Sequence, residues 1–312
     1  MLDVRRLRVL REVSARGTIA AAADALHLTP PAVSQQLAKL EGEAGVKLLV
    51  KEGRSVRLTE AAQLLVTHSE IILAQVEAAE AELAAKQGTY GAELRLAAFP
   101  TAIRALVPHL IERLADKAYG AVRVIEREPE EALSMLRVGD VDLVVAHEYD
   151  RVPRRVAHGL ERVSLFDEPM FLALSERHPR AHPGVRLSDL ADEPNWVVSP
   201  PPGLSCREQV LRTCAIAGFE PLIGSETYSY EATLALVGAG AIALVPALAV
   251  PLAPAGVRFF TPADVSARRS VFAAMRQGSS HRPDLTAAVR ALIDAADTPS
   301  EDPQSIAATT AA

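Results

Sequence analysis

No glycine or proline interrupts the stretch from Thr59 to Gln87, so one long helix capped by Thr59 is predicted there. Small and apolar residues recur along it at alternating spacings of three and four, at Ala62, Leu65, Ser69, Ile72, Val76, Ala79 and Leu83. This heptad pattern predicts a partner helix from a second copy of the chain, and packing on the helix's own chain is the alternative. Gly88 and Gly91 then end the helix. The chain therefore divides into a head of residues 1–60, a dimerisation helix of residues 61–91 and a body from residue 92.

Three shorter helices are predicted in the head. The first is indicated by apolar residues at helical spacing, which are Leu7, Leu10 and Val13. Thr18 is placed to cap the second, which covers residues 19–26. Thr29 is placed to cap the third, and Pro30 suits its first position because the missing N–H would be unpaired there.

The third helix and the segment after it have the features of a DNA-reading unit. The helix has one apolar stripe, formed by Val33, Leu37 and Leu40, and a polar opposite face, which matches the helix-turn-helix plan. Residues 48–58 have apolar ends and basic residues around Gly53, which indicates a wing suited to phosphate contact; an ordinary solvated hairpin is the alternative. Residues 1–60 contain ten Lys and Arg against seven Asp and Glu, so the head carries about +3 in a chain of net charge −6.

From Glu93 onward, short apolar runs alternate with helical stretches. The runs LRLAAF, VRVIE, DLVVAH, MFLAL and WVVS are typical of strands, and residues 103–114 and 129–137 are predicted to be helical. This alternation predicts α/β layers with parallel sheets, and the length of the body favours two lobes. Residues 298–312 lack periodicity and are predicted to be a disordered tail.

Several other classes of protein are disfavoured. Two cysteines cannot supply a disulfide framework. Residues 234–255 carry no charge, but glycines and prolines break the stretch, so a buried helix–strand–helix passage is predicted rather than a membrane span. The N-terminus has no signal-peptide core, so the protein is predicted to be cytoplasmic. No G-x-S-x-G, P-loop, H-E-x-x-H or paired-cysteine zinc motif occurs, so no enzyme activity, cofactor or metal is expected.

The stretch GTIAAAADALHLTPPAVSQQLAKLEGEAGVKLL, followed by RSVRLTEAA, resembles the N-terminal domain of LysR-type transcriptional regulators. The motif is specific because it combines small helix-packing residues, a cap and a polar reading face. The resemblance continues through LRLAAFPTAIRALVP, VGDVDLVV, SERHPRAHP and GAGAIALVP, and so extends from residue 2 to about residue 295. Three residues depart from the family pattern: Pro30 stands where glutamine is common, Lys51 replaces the wing arginine, and Ala62 replaces a glycine.

The resemblance implies an α+β multidomain fold: an N-terminal winged helix-turn-helix, a long dimerisation helix and a C-terminal two-lobe α/β effector domain similar to periplasmic binding proteins. Lobe I is expected to comprise residues 92–162 and 262–297, and lobe II residues 163–261. Such a protein is a transcriptional regulator that binds an inverted repeat in double-stranded DNA as a homodimer or homotetramer. A small-molecule effector would control it. The alternative is a small-molecule-binding module without sequence-specific DNA function.

The same resemblance implies that the third helix enters the major groove. Ser34, Gln35 and Gln36 are candidates for base or phosphate hydrogen bonds, and Pro31 and Ala32 for contact with thymine methyl groups. The residues expected to contact the DNA backbone are Thr18, Thr29, Lys39, Arg54 and Arg57. For Gln36 and Lys39, a solvated helix face is the alternative.

Ligands of two-lobe α/β domains lie beyond the strand ends, beside helix N-termini that favour anions. Thr101, which follows Phe99 and Pro100 after the first strand of the body, is the main candidate for effector contact, with helix capping as its alternative. The other candidates are Ala146, His147, Ser199, Pro200, Ser205 and Thr227. For His147 a locally satisfied side chain is the alternative. A small anionic metabolite or an amino acid is the expected kind of effector.

Cys206 and Cys214 raise a redox hypothesis, because some members of the family sense oxidants through this region. Eight residues apart on one helix, they would be separated by about 12 Å, whereas a disulfide needs Cα atoms about 5.5–6 Å apart. Relative to the peroxide-sensing pattern, Ser205 stands in the place of the reactive cysteine and Cys214 in that of its partner. We therefore expect both cysteines to be structural.

Overall fold

The computed structural model describes residues 1–52, 55–86, 93–115, 121–153, 159–199 and 203–297. The head contains helices α1 (Val4–Arg16), α2 (Ile19–Ala25) and α3 (Pro30–Ala44) and the wing strands β1 (Leu49–Glu52) and β2 (Ser55–Leu58). The hydroxyls of Thr18 and Thr29 accept the N–H groups of Ala21 and Ala32, so both residues cap their helices as predicted. Gly45, with a φ of 70°, ends α3 in the left-handed region. The predicted helix-turn-helix with an antiparallel wing is confirmed.

One apolar core joins the helices and the wing of the head. It contains both apolar stripes predicted from the sequence, namely Leu7, Leu10 and Val13 of α1 and Val33, Leu37 and Leu40 of α3. Because the core takes these faces, the polar face of α3 lies on the outside of the head.

Helix α4 (Glu60–Lys86) is the predicted long helix, and its apolar seam is covered unevenly. Ala62 belongs to the head core, and Ser69 is buried with its hydroxyl donating to the Leu65 carbonyl at 2.6 Å. Farther along, the seam residues Ile72, Val76 and Leu83 are exposed. The start of the seam therefore packs on its own chain, whereas the rest can accept a partner helix.

The body follows in the order β3 (Leu94–Ala98), α5 (Pro100–Ala105), α6 (Val107–Ala115), β4 (Val122–Glu126), α7 (Pro129–Val138), β5 (Leu143–Tyr149), β6 (Leu160–Ser175), β7 (Trp196–Val198), α8 (Ser205–Ile216), β8 (Ile223–Glu226), α9 (Tyr230–Gly238), β9 (Ala243–Pro246), β10 (Val257–Phe260), β11 (Arg268–Arg276) and α10 (Pro283–Asp297). Short 3-10 helices cover Leu187–Leu190, Ala247–Leu252 and Ser279–His281. Each of the five predicted strand runs coincides with a strand, except that Phe99, Asp142 and Ser199 at the ends of three runs lie just outside.

The sheet of lobe I has the order β4-β3-β5-β11-β6. Strand β3 pairs in parallel with β4 and β5, whereas β11 is antiparallel to both β5 and β6. The expectation of parallel sheets is therefore wrong for half of this sheet. The physical reason is that β11 returns from lobe II and enters the sheet from the opposite end.

Strand β6 belongs to both lobes. Its residues 160–169 pair with β11, and its residues 170–175 pair with β9 and β10 in lobe II. At the crossing, the Met170 N–H donates to the Ala267 carbonyl at 2.9 Å. The change of sheet thus lies at Pro169–Met170, later than the boundary expected after residue 162.

Two further predictions have different outcomes. The helix predicted over residues 103–114 is two helices, α5 and α6, separated at Leu106; Pro108, in the first turn of α6, cannot donate the hydrogen bond that would continue α5. The uncharged stretch 234–255 is confirmed as a helix–strand–helix passage, formed by α9, β9 and the 3-10 helix Ala247–Leu252. Among the described residues, no helix has the length and apolar character that crossing a membrane requires.

Candidate nucleic-acid interface and interlobe cleft

The outer face of α3 presents a continuous row of polar and small side chains. Pro31, Ser34, Gln35 and Lys39 are exposed, and Ala32 is partly exposed. Their spacing of three and four residues places them along one side of the helix, opposite the buried stripe. Ser34 and Gln35 offer a hydroxyl and an amide, the groups that hydrogen-bond to base edges in a major groove.

Gln36 differs from its neighbour Gln35. It is only partly exposed, and its side-chain oxygen accepts a hydrogen bond from Arg6 Nε of α1 at 3.2 Å. Arg6 also forms a salt bridge with Glu43 near the end of α3. Gln36 is thus tied through its side-chain oxygen into the helix–helix contact of the head, which distinguishes it from the exposed Gln35.

The expected backbone contacts lie at the edges of this face. Thr18 and Thr29 are exposed, and each uses its hydroxyl oxygen to cap a helix while the hydroxyl hydrogen stays available. Arg57 is exposed on β2 of the wing. Arg54 lies outside the described residues. The positions that the structure describes are consistent with phosphate contact on either side of a recognition helix.

A buried ion pair lies where the two lobes meet. Arg269 of β11 donates from Nε to Glu168 of β6 at 2.7 Å and from Nη2 to the Thr101 hydroxyl at 3.2 Å. Glu168 also accepts the N–H of Leu248 in lobe II at 2.7 Å. Burial alone would lower the pKa of the Arg269 guanidinium, but the adjacent Glu168 carboxylate raises it overall. Thr101 does not cap its helix; it is part of this network.

His147 stands beside the ion pair in an aromatic cluster. Its ring makes edge contacts with Phe99 and Tyr149, with centroids 4.7 and 4.9 Å away, and its Nε2 lies 3.6 Å from a Glu128 oxygen. Burial lowers the pKa of His147, so the imidazole is neutral at neutral pH. Its Nδ1 has no hydrogen-bond partner among the described residues. A neutral ring with one unused nitrogen can donate to or accept from a ligand.

Helix α8 of lobe II points its first turn at lobe I. The N–H of Ser205 donates to the Glu130 carboxylate of α7 at 3.0 Å, so a side chain of the protein occupies the anion-binding end of this helix. A small cavity beside this contact is lined by Pro129, Glu130, Leu133, His147, Glu148, Tyr149, Val152, Pro153 and Ser205. The cavity therefore joins a predicted residue of each lobe, His147 and Ser205.

The remaining effector candidates differ in position. Ser199 is partly exposed and its carbonyl accepts from Arg207 at 3.3 Å, and Thr227 is partly exposed with its hydroxyl accepting the Ser229 N–H. Pro100 is partly exposed at the start of α5. Pro200 lies outside the described residues.

The choice of Ala146 as an effector contact was wrong. Side chains alternate along β5, so Ala146 points to the opposite face from His147. It is fully buried against α7 in a core that includes Ala132 and Leu136. A residue at this position supports the sheet and cannot reach the cleft.

The cysteines lie on α8 as predicted, and both are free thiols. Burial raises the pKa of Cys206 to about 11 and that of Cys214 to about 12. Both groups are therefore thiols at neutral pH, and the thiolate is the form that reacts with oxidants.

Sequence reasoning missed four residues of the cleft: Glu128, Glu130, Glu168 and Arg269. The two glutamates before and within α7 follow the predicted strand VRVIE, so the rule that ligand sites lie beyond strand ends could have found them. Arg269 lies on a strand that was not predicted, and no local pattern pairs it with Glu168.

Comparison with known proteins covers both parts of the chain. A family model described as the bacterial regulatory helix-turn-helix protein, lysR family, matches residues 4–63, and one described as the LysR substrate binding domain matches residues 87–297. A hydrogen peroxide-inducible genes activator of Escherichia coli is 32% identical over 303 residues, which is 94% of this chain and 96% of that protein.

Solved structures with similar folds span nearly the whole chain. Full-length OxyR from Pseudomonas aeruginosa has a TM-score of 0.65 and 24% identity and covers 96% of each chain. Full-length CbnR in complex with its target DNA has a TM-score of 0.52 and 25% identity, and the match covers 94% of this chain and 100% of that one.

Proposed function

Because the chain belongs to the LysR family of transcriptional regulators, we propose that the outer face of α3 reads operator DNA and that the interlobe cleft binds the effector. The observation that carries this proposal is the contrast between two polar sites. The polar side chains on the outer face of α3 are exposed, whereas the cleft holds His147, with an unused ring nitrogen, beside a cavity shared by both lobes.

On the DNA side, Gln35 is the residue expected to carry base specificity. It is exposed at the centre of the outer face of α3, and its amide can donate and accept at once, as an adenine edge requires. Ser34 supports it, and Pro31 and Ala32 offer apolar surface to thymine methyl groups. Thr18, Thr29, Lys39 and Arg57 position the head on the phosphates.

The test compares Gln35→Ala with Gln36→Ala, using binding to a randomised DNA library at physiological salt. Gln35→Ala should weaken specific binding by about 1–3 kcal/mol and relax preference at one base position. Gln36→Ala is the matched control, because Gln36 is held by Arg6, and it should change the selected motif less. An unchanged motif with Gln35→Ala would remove Gln35 from the base-reading set. Weak binding without any preference, lost as salt rises, would instead favour a ligand-binding module without sequence-specific DNA function.

On the effector side, Thr101, His147 and Ser205 are the expected contacts, with Phe99 as an aromatic wall. Ser199 and Thr227 are partly exposed on lobe II and are secondary candidates. The Arg269–Glu168 ion pair would hold Thr101 and the strand ends in place. The proposed site lies in the predicted cleft, but it is centred on the cavity between His147 and Ser205 rather than on Thr101.

The effector test is a thermal-shift screen of small metabolites, followed by titration of each hit with Glu130→Ala. Since the Glu130 carboxylate occupies the α8 N-terminus, its removal should raise affinity for an anionic effector and lower affinity for a cationic one, by about tenfold in either case. Glu131→Ala is the control, because Glu131 pairs with Arg127 and does not line the cavity. Equal effects of the two variants would place the effector elsewhere.

The proposed function also implies an oligomeric state and a cellular location. The exposed Ile72, Val76 and Leu83 of α4 support a homodimer through this helix, and two dimers would form a tetramer. An inverted repeat in the operator would match the twofold symmetry of the dimer. We place the protein in the cytoplasm with its DNA target, and we assign it no catalytic role.

A further inference from the structure

The DNA-binding head touches lobe I of its own chain. Arg16, in the last turn of α1, forms a salt bridge of 3.3 Å with Asp140, which follows α7. Gln75 of α4 donates to the Gly278 carbonyl at 2.8 Å. Both contacts join the head or the long helix to the same end of lobe I. They define an intrachain surface formed by the C-terminal end of α7 and the C-terminal end of β11.

Three charged side chains from three parts of the chain converge on this surface. Arg11 of α1, Glu77 of α4 and Arg276 of β11 place atoms 3.7, 3.6 and 3.6 Å from the point where a Cβ on Gly139 would lie. Glu77 forms a salt bridge with Arg276. A Cβ would fit at these distances, and it is the φ of 80° that favours glycine at this position. Side chains of the head, the long helix and lobe I therefore meet around the turn that ends α7.

Arg276 is anchored firmly in lobe I. It is 1% exposed, and its Nη1 donates to the carbonyls of Leu136 and Val141 at 2.9 and 2.8 Å. These two carbonyls lie at either side of the turn that ends α7. Arg276 therefore ties the end of β11 to the end of α7 and presents Nη2 to Glu77, while its Nε has no hydrogen-bond partner among the described residues.

Arg11 is held much less well. It is 4% exposed, and its Nη2 donates to Glu12 at 3.3 Å, but its Nε and Nη1 have no hydrogen-bond partner among the described residues. Burial lowers the pKa of its guanidinium, although Glu12 and Glu77 oppose this effect. Burying a charged donor without a partner is unfavourable. The docked arrangement thus contains an unmet cost that separation of the head would relieve, which is what a reversible contact requires.

Helix α7 connects this surface with the interlobe cleft. Glu130 in its first turn accepts the Ser205 N–H from lobe II, and Gly139 and Asp140 just past its end meet the head. Strand β11 runs alongside, with Arg269 in the cleft and Arg276 at the junction. A change in the cleft that shifts α7 or β11 therefore displaces the groups that hold the head.

We propose that Arg11, Arg16 and Arg276 with Glu77 and Asp140 form an intrachain ionic latch through which lobe I fixes the orientation of the DNA-binding head. The partner of the lobe I surface is the chain's own α1 and α4. Release of the latch lets the two heads of a dimer change their relative setting. None of the five latch residues lines the cavity proposed above for the effector, so the latch can be tested independently of that site.

The test is a distance measurement within one subunit by double electron–electron resonance. Spin labels are placed at Asp24→Cys on α2 and Glu112→Cys on α6, both exposed, in a Cys206→Ser background. Labelled subunits are diluted with unlabelled protein so that only intrasubunit pairs contribute. Without DNA or effector, the full-length protein should give one narrow distance.

Four variants distinguish the latch from an incidental contact. Asp140→Arg alone breaks the pair with Arg16 and should reduce the population of the narrow distance. Asp140→Arg combined with Glu77→Gln removes both ion pairs, and the narrow distance should lose at least half of its population. Arg16→Asp combined with Asp140→Arg restores the outer pair with reversed sign and should retain it. Glu93→Arg, which disrupts the exposed Arg123–Glu93 pair elsewhere on lobe I, is the control. The proposal is overturned if the first variant keeps the narrow distance, or if the swapped pair loses as much of it as Asp140→Arg alone.

Discussion

The outer face of α3 and the interlobe cleft are both polar, but they hold their polar groups in opposite ways. On α3, Ser34 and Gln35 are exposed and face solvent. In the cleft, Arg269 is 1% exposed and bonded to Glu168 and Thr101. A partner of the first site would meet exposed groups, whereas a ligand of the second would have to exchange partners with the Arg269–Glu168–Thr101 network or use the unpaired Nδ1 of His147. Most polar groups of the cleft are thus already bonded to one another.

The largest effect is expected from breaking the buried pair of the cleft. Glu168→Ala leaves the Arg269 charge buried without its carboxylate, so the free energy of unfolding should fall by about 3–5 kcal/mol in a urea titration. Glu131→Ala, which breaks the exposed pair with Arg127, should cost about 0.5 kcal/mol or less. A loss of less than about 1 kcal/mol for Glu168→Ala would mean that the cleft is wetter and looser than the contacts indicate.

A somewhat smaller effect is expected from pH, through Glu70 of α4. Burial raises the pKa of Glu70 to about 7, against the opposing charges of Arg137 and Arg11. The folded protein therefore keeps a proton that the unfolded chain releases near pH 4.5, and stability is lost as pH rises from about 4.5 to 7. The difference in unfolding free energy between the natural protein and Glu70→Gln should fall by about 3 kcal/mol over that range.

The matched control for Glu70 is Glu80→Gln, on the exposed side of the same helix. A difference for Glu70→Gln that does not change with pH would show that the Glu70 carboxyl is solvated. Because Glu70 lies between the long helix and lobe I, that result would also indicate a looser contact between them.

A modest effect is expected at the head. Arg57→Ala on the wing should weaken DNA binding about equally for all sequences and reduce the slope of log K against log salt by about 1. Fluorescence anisotropy at several salt concentrations measures both quantities. A change in the preferred sequence instead of the slope would mean that Arg57 contacts bases. Arg57 would then belong with Gln35 among the residues that determine specificity.

The smallest effect is expected from peroxide. With pKa values of about 11 and 12, Cys206 and Cys214 have thiolate fractions near pH 7 of roughly one in ten thousand or fewer. Micromolar hydrogen peroxide should leave DNA binding by the natural protein and by Cys206→Ser unchanged in a mobility-shift assay. Loss of binding that a thiol reductant restores would reverse our view of these cysteines.

The head could be predicted almost residue by residue because its signals are local. Thr18 and Thr29 cap the helices that directly follow them, and the apolar stripes repeat every three or four residues. The predicted LysR-type regulator with its winged head and two-lobe body is confirmed. Gln36 shows the limit of this reasoning, because its bond to Arg6 depends on how α1 crosses α3.

The cleft was predicted only in part because its residues come together from distant segments. Thr101 and Arg269 are bonded across 168 positions, and Ser205 and Glu130 across 75. Strand ends and loops can be located in the sequence, so Thr101, His147 and Ser205 were found. Whether Ala146 points to the cleft or to the core depends on which residues of β5 face which side of the sheet. A run of apolar residues on both faces does not show this.

Strand β6 and strand β11 form a hairpin whose loop is an entire lobe. Pro169 and Arg268 are register partners, so residues 170–267 leave and re-enter lobe I at one point. Lobe I is therefore discontinuous in the sequence but continuous in space. Strands β6 and β11 can pair only after the inserted lobe has brought them together. Closing a loop of that length is slow but adds little free-energy cost beyond that of a shorter one. A gene that joined residue 169 to residue 268 by a tight turn would encode lobe I alone, with β6 and β11 still adjacent in register.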